Sequence, residues 1–399
     1  MNRQRTLHNT PLSLALAAAC LTSLALAQPP SQTAPEQQQQ QQQPQQQQQP
    51  TADTTSTTPA TNQPPAPAPA NTHNRPTVLL IVGAPGTPEY GASFQTWGER
   101  WQTAASTAHA DFEWIGPGRP ISPTPTTTTA TSPDNPPSTT PTDLELIRAT
   151  LHKACSQPSS QPLWLIYIGH GTFDQQTAAL NLRGPDLTAT ELTELLKPAS
   201  RPVVAAICSS CSAPFINALS APGRIVISAT KDGNQIQYSR FGDAFSQAIG
   251  TLDADADRDG QTSLLEAWLF ASRRTADFYK TAGRLATEHS LLEDNADSRG
   301  VRAELFDGIR PGKNLQSDQP IDGTLAAKTW LVLSPAEQQL SPDQQLTRSA
   351  LEARLEALKL RRSEFDEADY LQQLEDILRP LAQLYQTAAQ QATPTPPAP

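Results

Sequence analysis

The chain has 399 residues, of which 37% are hydrophobic, and its formal net charge is −10. An acidic chain without a cluster of Lys and Arg has little to attract a phosphate backbone or an anionic lipid surface, which argues against nucleic acid and such membranes as partners. Beyond the N-terminus, no apolar stretch approaches the length that spans a bilayer.

The first 27 residues have the pattern of a secretory signal. Arg3 and Arg5 form a basic start, an apolar run covers residues 12–26, and a small-residue cleavage site ends at Ala27. The N-terminus therefore predicts an exported protein that resides in the periplasm or outside the cell.

Three further stretches are too biased in composition to contribute to a core. Residues 28–75 are almost entirely Gln, Pro, Thr, Ala and Asn, which predicts a disordered linker because such a segment cannot bury enough apolar surface. A Thr/Pro-rich stretch at 120–142 interrupts the folded region at 76–250 and is predicted to be a loop insertion. Residues 391–399 are predicted to be a disordered tail.

Cys20 lies in the signal, so three of the four cysteines remain after its removal: Cys155, Cys208 and Cys211. An odd number in an exported protein excludes a complete disulfide framework and leaves at least one thiol free. The C-x-x-C spacing of Cys208 and Cys211 keeps a disulfide or redox pair open as an alternative.

Short apolar runs alternate with helical patterns through the folded region. The runs lie at residues 78–82, 163–168, 203–207 and 224–228, and the helical patterns lie at 91–105, 142–155, 188–196 and 215–219. Strands that alternate with helices predict an α/β fold with a mostly parallel sheet covered on both faces. Ligands gather at the carboxyl ends of strands in such sheets.

Two of these strand ends carry reactive side chains. The strand at 163–168 runs into His170 and Gly171, and the strand at 203–207 runs into the Cys/Ser cluster at 208–212. About forty residues separate the two motifs, which leaves room for one helical crossover between neighbouring strands. An imidazole and a nucleophile are therefore expected to meet at one edge of the sheet, as acyl transfer requires.

This pair of motifs resembles the clan CD cysteine peptidases, which include the legumains and the caspases. In those families a His-Gly follows one apolar strand and a Cys follows the next, and residues 164–171 and 203–212 are similar to that pair. The resemblance implies a caspase-like three-layer α/β/α fold over roughly residues 76–249. It also implies that His170 is a general base or proton shuttle, and that backbone N–H groups of Gly171 and the nucleophile form an oxyanion hole.

Two registers of the second motif place different side chains opposite His170. The spacing to the following serines makes Cys208 the nucleophile, whereas counting from the start of the strand puts Ser210 in that place, between Cys208 and Cys211. The first register implies an exported peptidase that hydrolyses peptide bonds with a His-Cys dyad, in which Cys208 or Cys211 supplies the sulfur. The second implies either a peptidase that uses Ser210 in place of the cysteine or a degenerate site, and a degenerate site implies a catalytically inactive, calcium-binding interaction protein.

The resemblance also places the first specificity pocket near the end of the last parallel strand. Asp232, Arg240 and Asp243 follow that strand and are candidates for its substrate-binding lining. An acidic lining would favour a basic side chain in a peptide or protein substrate.

A second motif lies in the region 251–340, where residues 255–266 match the twelve-residue EF-hand loop. The candidate ligands are Asp255, Asp257, Asp259, Gln261 through its backbone carbonyl, Ser263 and Glu266. Gly260 stands where the loop turns sharply, and helical patterns at 241–249 and 264–282 precede and follow the loop. The motif predicts a weak, structural Ca²⁺ site that fills where calcium is near millimolar.

The C-terminal region 341–390 is strongly helical in pattern. Breaks at 363–366 and at Pro380 predict two helices folded as a hairpin, and a short strand is predicted at 329–333. The hairpin is expected to pack on the core as an appendage, with binding of a protein partner as the alternative.

Overall fold

The computed structural model describes residues 75–119, 141–312 and 321–392. The predicted signal peptide, the linker up to residue 74, residues 120–140 of the insertion and the tail from residue 393 lie outside them. Among the described helices, none combines the length and the apolar character needed to cross a membrane.

Strands and helices alternate over residues 77–228, except at 163–188, where four strands follow one another, and the rest of the described chain is mainly helical. The strands are β1 (Thr77–Val82), β2 (Asp111–Ile115), β3 (Leu163–Ile168), β4 (Gly171–Phe173), β5 (Ala178–Leu180), β6 (Leu187–Thr188), β7 (Val203–Cys208), β8 (Arg224–Ser228), β9 (Leu291–Glu293), β10 (Phe306–Asp307) and β11 (Arg310–Pro311). The helices are α1 (Pro88–Thr107), α2 (Asp143–Ser156), α3 (Ala189–Leu196), α4 (Pro214–Leu219), α5 (Phe241–Ala248), α6 (Leu264–Thr281), α7 (Pro335–Gln338), α8 (Pro342–Leu360) and α9 (Glu367–Ala392).

A six-stranded sheet in the order β2-β1-β3-β7-β8-β9 lies at the centre. Its strands are parallel except for β9, which pairs antiparallel with β8 at the edge. A small antiparallel sheet of β4, β5 and β6 follows β3 directly. The mostly parallel α/β architecture is confirmed, and it is consistent with the caspase-like fold expected from the two motifs.

Alternating side chains of the central strands enter two separate cores. On one face, Val78 and Leu80 of β1 belong to a cluster with Trp101 of α1, Phe245 of α5 and Trp268 of α6. On the other face, the next residues along the same strand pack against α2, α3 and α4. Helices cover both faces of the sheet, which gives the three-layer arrangement. Side chains on both faces of the strands are therefore buried, which explains why the strands are continuous apolar runs in the sequence.

The four strands expected from the sequence match β1, β3, β7 and β8 to within one residue at each end. The edge strands β2 and β9 were not expected. In β2 only Trp114 and Ile115 are buried, and β9 has only 3 residues, so neither carries a continuous apolar run. Because β9 joins the main sheet, the core continues beyond residue 250.

The strand expected at 329–333 is wrong. The structure has a 3-10 turn at Ala326–Lys328, and no strand follows it among the described residues of this segment. The carbonyl oxygen of Thr329 instead accepts a hydrogen bond of 2.8 Å from the backbone N–H of Leu264, the first residue of α6. This segment therefore supplies an acceptor for an N–H group at the start of α6, which has no partner within the helix, and it does not join a sheet.

The C-terminal hairpin is formed by α8 and α9, and a 3-10 turn at Arg362–Glu364 lies between them. Leu351 and Leu358 of α8 form a buried seam with Ile377 of α9. The expected break at Pro380 is wrong, because α9 continues through this residue. Packing along the seam holds the helix together where a proline removes one backbone hydrogen bond.

Gly116, directly after β2, offers a test of how closely β1 and β2 approach. Its φ is +111°, and an added Cβ would lie 1.9 Å from the carbonyl oxygen of Val82. We expect Gly116→Ala to lower the free energy of unfolding by about 3 kcal/mol, measured by urea denaturation. In the control Gly283→Ala, which also has a positive φ but no atom within 4 Å of the added Cβ, only the backbone cost of about 1 kcal/mol should appear. Equal losses in the two variants would contradict the close approach.

Candidate functional site

His170 lies just beyond β3, and its ring is held by a carbonyl oxygen and two aromatic rings. Its Nε2 lies 3.1 Å from the carbonyl oxygen of Pro85, in the loop between β1 and α1. The rings of Tyr90 and Phe94 meet the imidazole edge-on, at centroid distances of 5.0 Å and 5.5 Å. With its proton on Nε2 the ring donates to Pro85, which leaves Nδ1 as the basic nitrogen.

The register of the central strands sets what lies level with His170. Ile168 of β3 pairs with Cys208 of β7. His170 and Ser210 each lie two residues beyond this pair, so the two residues are level with each other. The hydroxyl of Ser210 accepts a hydrogen bond from the N–H of Gly171 at 3.2 Å and donates to the carbonyl of Gly171 at 3.1 Å. The structure thus brings Ser210 against the residue that follows His170.

Cys208, the nucleophile of the first register, lies in the hydrophobic core. It is the last residue of β7 and belongs to the cluster beneath α1 and α5. An added Cβ on Gly242 of α5 would lie 3.0 Å from the Cβ of Cys208. Burial raises the pKa of the Cys208 thiol, and the charge of Glu288 raises it further. A sulfur in this place behaves as a small hydrophobe.

Cys211 is also buried, and its backbone has a positive φ of 55°. Its N–H donates to the carbonyl of Gln235 at 3.0 Å, which fixes the turn after β7. Burial raises the pKa of its thiol, while a hydrogen bond with Ser210 lowers it and the charge of Asp232 raises it. Cys208 and Cys211 are both free, so the disulfide allowed by their spacing is not formed.

The loop that carries Ser210 is locked by buried hydroxyl groups. The N–H groups of Ser212 and Ala213 donate to the hydroxyl of Thr230 at 2.9 Å and 3.1 Å. In return, the N–H groups of Ala229 and Thr230 donate to the hydroxyl of Ser212. The reciprocal bonds join the ends of β7 and β8, so the backbone around Ser210 is preorganised.

The loop of His170 and the loop of Ser210 meet at a glycine. An added Cβ on Gly171 would lie only 2.4 Å from the carbonyl oxygen of Ser210, so a larger residue would separate the loops. The carbonyl of His170 accepts hydrogen bonds from the N–H of Asn181 at 3.1 Å and from the hydroxyl of Tyr167 at 2.6 Å. His170 and Gly171 are therefore held by the Ser210 loop on one side and by Tyr167 and Asn181 on the other.

A cavity of about 500 Å³ opens beside the rings that enclose His170. Its walls include Tyr90 and Tyr238, which stack at a centroid distance of 4.5 Å, and Phe278 of α6. Arg240, one of the predicted substrate-binding residues, also lines it, with its guanidinium 4.2 Å from the centre of the Phe278 ring. The cavity thus combines aromatic walls with a cation.

The other two predicted substrate-binding residues are not among the lining of this cavity. Asp243 forms an ion pair of 2.6 Å with Arg100 of α1. The carboxylate of Asp232 accepts a hydrogen bond from the N–H of Asn234 at 2.8 Å. The two aspartates proposed as an acidic lining are therefore not assembled around this cavity, whose lining contains a different carboxylate, Glu89.

Glu288 is a residue of this region that the sequence did not reveal. It is 2% exposed, and its carboxylate accepts hydrogen bonds from the hydroxyls of Ser239 and Tyr279 and from the N–H groups of Arg240 and Phe241. Burial raises its pKa, and these hydrogen bonds lower it. Glu288 anchors the segment that carries Arg240, and its backbone partners lie 47 and 48 residues earlier, beyond any local pattern.

The acidic loop before α6 draws three carboxylates together. One oxygen atom from each of Asp255, Asp257 and Asp259 lies within 4.8 Å of the others. The N–H of Asp259 donates to Asp255 and to Asp257 at 3.2 Å, and Gly260 turns the chain with a φ of +85°. Burial and neighbouring carboxylates raise the pKa of Asp257. Converging oxygen donors of this kind fit a hard divalent cation such as Ca²⁺.

The end of the loop is also the start of α6. Ser263 is the N-cap, and its hydroxyl accepts from the N–H of Glu266 while the Glu266 carboxylate accepts from the N–H of Ser263 at 2.8 Å. The second oxygen of Glu266 accepts from the N–H of Ala256 at 2.8 Å, across the loop. The side-chain carbonyl of Gln261 accepts a hydrogen bond of 3.2 Å from the N–H of Ser334, which lies outside the loop.

No family model matches the chain, and no curated protein matches it. Among solved structures, it is similar to caspase-1 from Spodoptera frugiperda, with a TM-score of 0.35 and 11% identity over 60% of this chain and 92% of that one. It is also similar to the Drosophila initiator caspase Dronc, with a TM-score of 0.35 and 10% identity over 58% of this chain and 84% of that one. Likenesses this remote carry no inference about activity.

The buried sulfurs make a prediction about thiol chemistry. Since burial raises the pKa of all three described thiols, Cys155, Cys208 and Cys211, few thiolates form in the folded protein. We expect Ellman's reagent at pH 8 to modify them at least about a hundredfold more slowly in the native protein than in urea. Rapid modification of Cys211 in the native protein, located by peptide mapping, would contradict its burial.

Proposed function

We propose that this protein is an exported caspase-like binding domain that holds a peptide segment of a partner protein beside His170 and does not cleave it. The carrying observation is that Ser210 lies level with His170, with its hydroxyl bonded to the backbone of Gly171. The sulfurs of Cys208 and Cys211 are both buried, and Ser210 itself is 3% exposed. This corresponds to the degenerate register of the two that the sequence allows.

The hydrogen bonds of Ser210 oppose its use as a nucleophile. Its proton is directed to the carbonyl of Gly171, and its oxygen accepts the Gly171 N–H that would otherwise stabilise an oxyanion. A serine also needs a strong base, and the ring of His170 is oriented by a neutral carbonyl at Pro85. A carbonyl stabilises an imidazolium less than the carboxylate of a catalytic triad does.

The cysteine peptidase expected from the other register would require a sulfur to reach the imidazole. Cys208 could do so only by leaving the core that it shares with α1 and α5, where burial raises its pKa. Cys211 is held by the bond from its N–H to Gln235. Neither sulfur has the exposed, electropositive surroundings that produce a reactive thiolate.

The cavity beside His170 supports binding of a peptide. Aromatic walls of Tyr90, Tyr238 and Phe278 offer apolar contact area at low entropic cost, and Arg240 adds a polar group that can orient a ligand. The backbone of Arg240 at the edge of this cavity is held in place by the carboxylate of Glu288. A rigid, partly apolar cleft binds a peptide without any need for a reactive group.

Exchanging Ser210 for a thiol tests the proposal by gain of function. We expect a peptidyl acyloxymethyl ketone, which alkylates activated thiols, to leave the wild-type protein unlabelled and to label Ser210→Cys, because residue 210, although only 3% exposed, is the position level with His170. Adding His170→Ala to Ser210→Cys should slow the labelling at least about tenfold, because the imidazole no longer assists thiolate formation. The readout is intact-mass spectrometry.

The control for this experiment is Ser212→Cys, a thiol two residues away at a fully buried position, which should stay unlabelled. Two outcomes would overturn the proposal. One is labelling of wild-type Cys208 or Cys211 that His170→Ala abolishes, which would establish a dyad. The other is peptide hydrolysis by the wild-type protein that Ser210→Ala abolishes, which would establish a serine nucleophile.

The proposal includes a structural Ca²⁺ in the loop of residues 255–266. Asp255, Asp257 and Asp259 supply the converging carboxylates, and Glu266 ties the loop to the start of α6. When bound, the ion would offset the mutual repulsion of these carboxylates. The export predicted from the N-terminal sequence supports this assignment, because isolated loops of this kind bind weakly and fill at the calcium levels found outside cells.

Calcium binding can be measured directly. We expect titration calorimetry to give a dissociation constant on the order of 10⁻⁴ to 10⁻³ M, and saturating calcium to raise the melting temperature. Asp255→Asn should remove both effects, because it removes a charged ligand at the first position of the loop. Asp253→Asn, which makes the same chemical change two residues before the loop, should keep both. Equal behaviour of the two variants would contradict the site.

A further inference from the structure

The segment at 329–334 lies across the calcium loop and contacts it at two points. The carbonyl of Thr329 accepts from the N–H of Leu264 at 2.8 Å, and the N–H of Ser334 donates to the side-chain carbonyl of Gln261 at 3.2 Å. The side-chain N–H of Gln261 donates in turn to the carboxylate of Asp259 at 3.3 Å. One amide side chain therefore links a candidate calcium ligand to the segment that leads to the hairpin.

The far end of this segment holds both helices of the hairpin. Ser334 is the N-cap of α7, and Glu337 of α7 is 5% exposed. The carboxylate of Glu337 accepts hydrogen bonds from Arg348 of α8 and from the hydroxyl of Tyr385 of α9. A buried carboxylate shared by two helices is costly to separate from its cation, so Glu337 is the anchor of the hairpin.

An electrostatic interaction also connects the hairpin to the loop of residues 255–266. Glu352 of α8 pairs with Arg348 at 3.6 Å. Burial raises the pKa of Glu352, Arg348 lowers it, and the negative charges of Glu337 and Asp259 raise it again. Glu352 is thus close enough to Asp259 for the two carboxylates to repel each other, and a cation bound by Asp259 would offset that repulsion.

We infer that occupation of the loop by calcium and docking of the α8–α9 hairpin are coupled, through the path from Asp259 and Gln261 to Ser334 and Glu337. The inference rests on the calcium site proposed above. A cation that fixes Asp259 also fixes the amide of Gln261, and with it the position of α7 and its anchor. Coupling is reciprocal, so a loosened hairpin must also weaken calcium binding by the same factor.

Hydrogen–deuterium exchange of the full-length protein tests the coupling. We expect millimolar calcium, compared with EDTA, to slow exchange of the amides in α8 and α9 by about fivefold. Glu337→Ala should make exchange of the hairpin insensitive to calcium, and it should raise the dissociation constant for calcium by a similar factor. The matched control is Glu375→Ala, which removes an acid of α9 that pairs with Arg379 on the same helix.

Each outcome decides the inference. Slower exchange in wild type and in Glu375→Ala, together with its loss in Glu337→Ala, supports the coupling. Calcium binding by calorimetry without any change of exchange in the wild-type hairpin overturns the coupling and leaves the calcium site intact. Absence of calcium binding by wild type overturns the site and the coupling together. The wild-type comparison is decisive even if Glu337→Ala fails to fold.

Discussion

The pairing of β3 with β7 is the constraint on which the candidate site depends. Because Ile168 lies opposite Cys208, the side chain level with His170 is a serine, and the preceding cysteine is directed into the core. A slip of two residues would keep the same faces buried and place Cys208 level with the imidazole. The difference between a thiol and a hydroxyl beside His170 therefore follows from strand register alone.

The loops around this pairing are held by hydrogen bonds of their own. Ser212 and Thr230 exchange bonds between the ends of β7 and β8, and Gly171 lets the two central loops approach within contact distance. Glu288 reaches from a distant segment to hold the backbone of Arg240. These hydrogen bonds make the loops at the carboxyl ends of the strands rigid, and rigid loops serve binding as well as they serve catalysis.

The sequence predicted the central strands well because both of their faces are buried. Residues 163–168 and 203–207 are continuous apolar runs, and this is a local property of the chain. It could not predict the short edge strand at Leu291–Glu293, which is stabilised by pairing with β8. The neighbours of His170 and the partners of Glu288 come from distant segments, so no local pattern reveals them. The choice between Cys208 and Ser210 likewise required the observed register.

The burial of the three sulfurs has a consequence for the export that the N-terminal sequence predicts. Cys155, Cys208 and Cys211 are all buried and free, although the last two have a spacing that is often seen in redox pairs. A fold that shields its thiols in this way resists oxidation to sulfenic acid and intermolecular cross-linking. Such a protein can mature in an oxidising compartment without help from disulfide-forming catalysts.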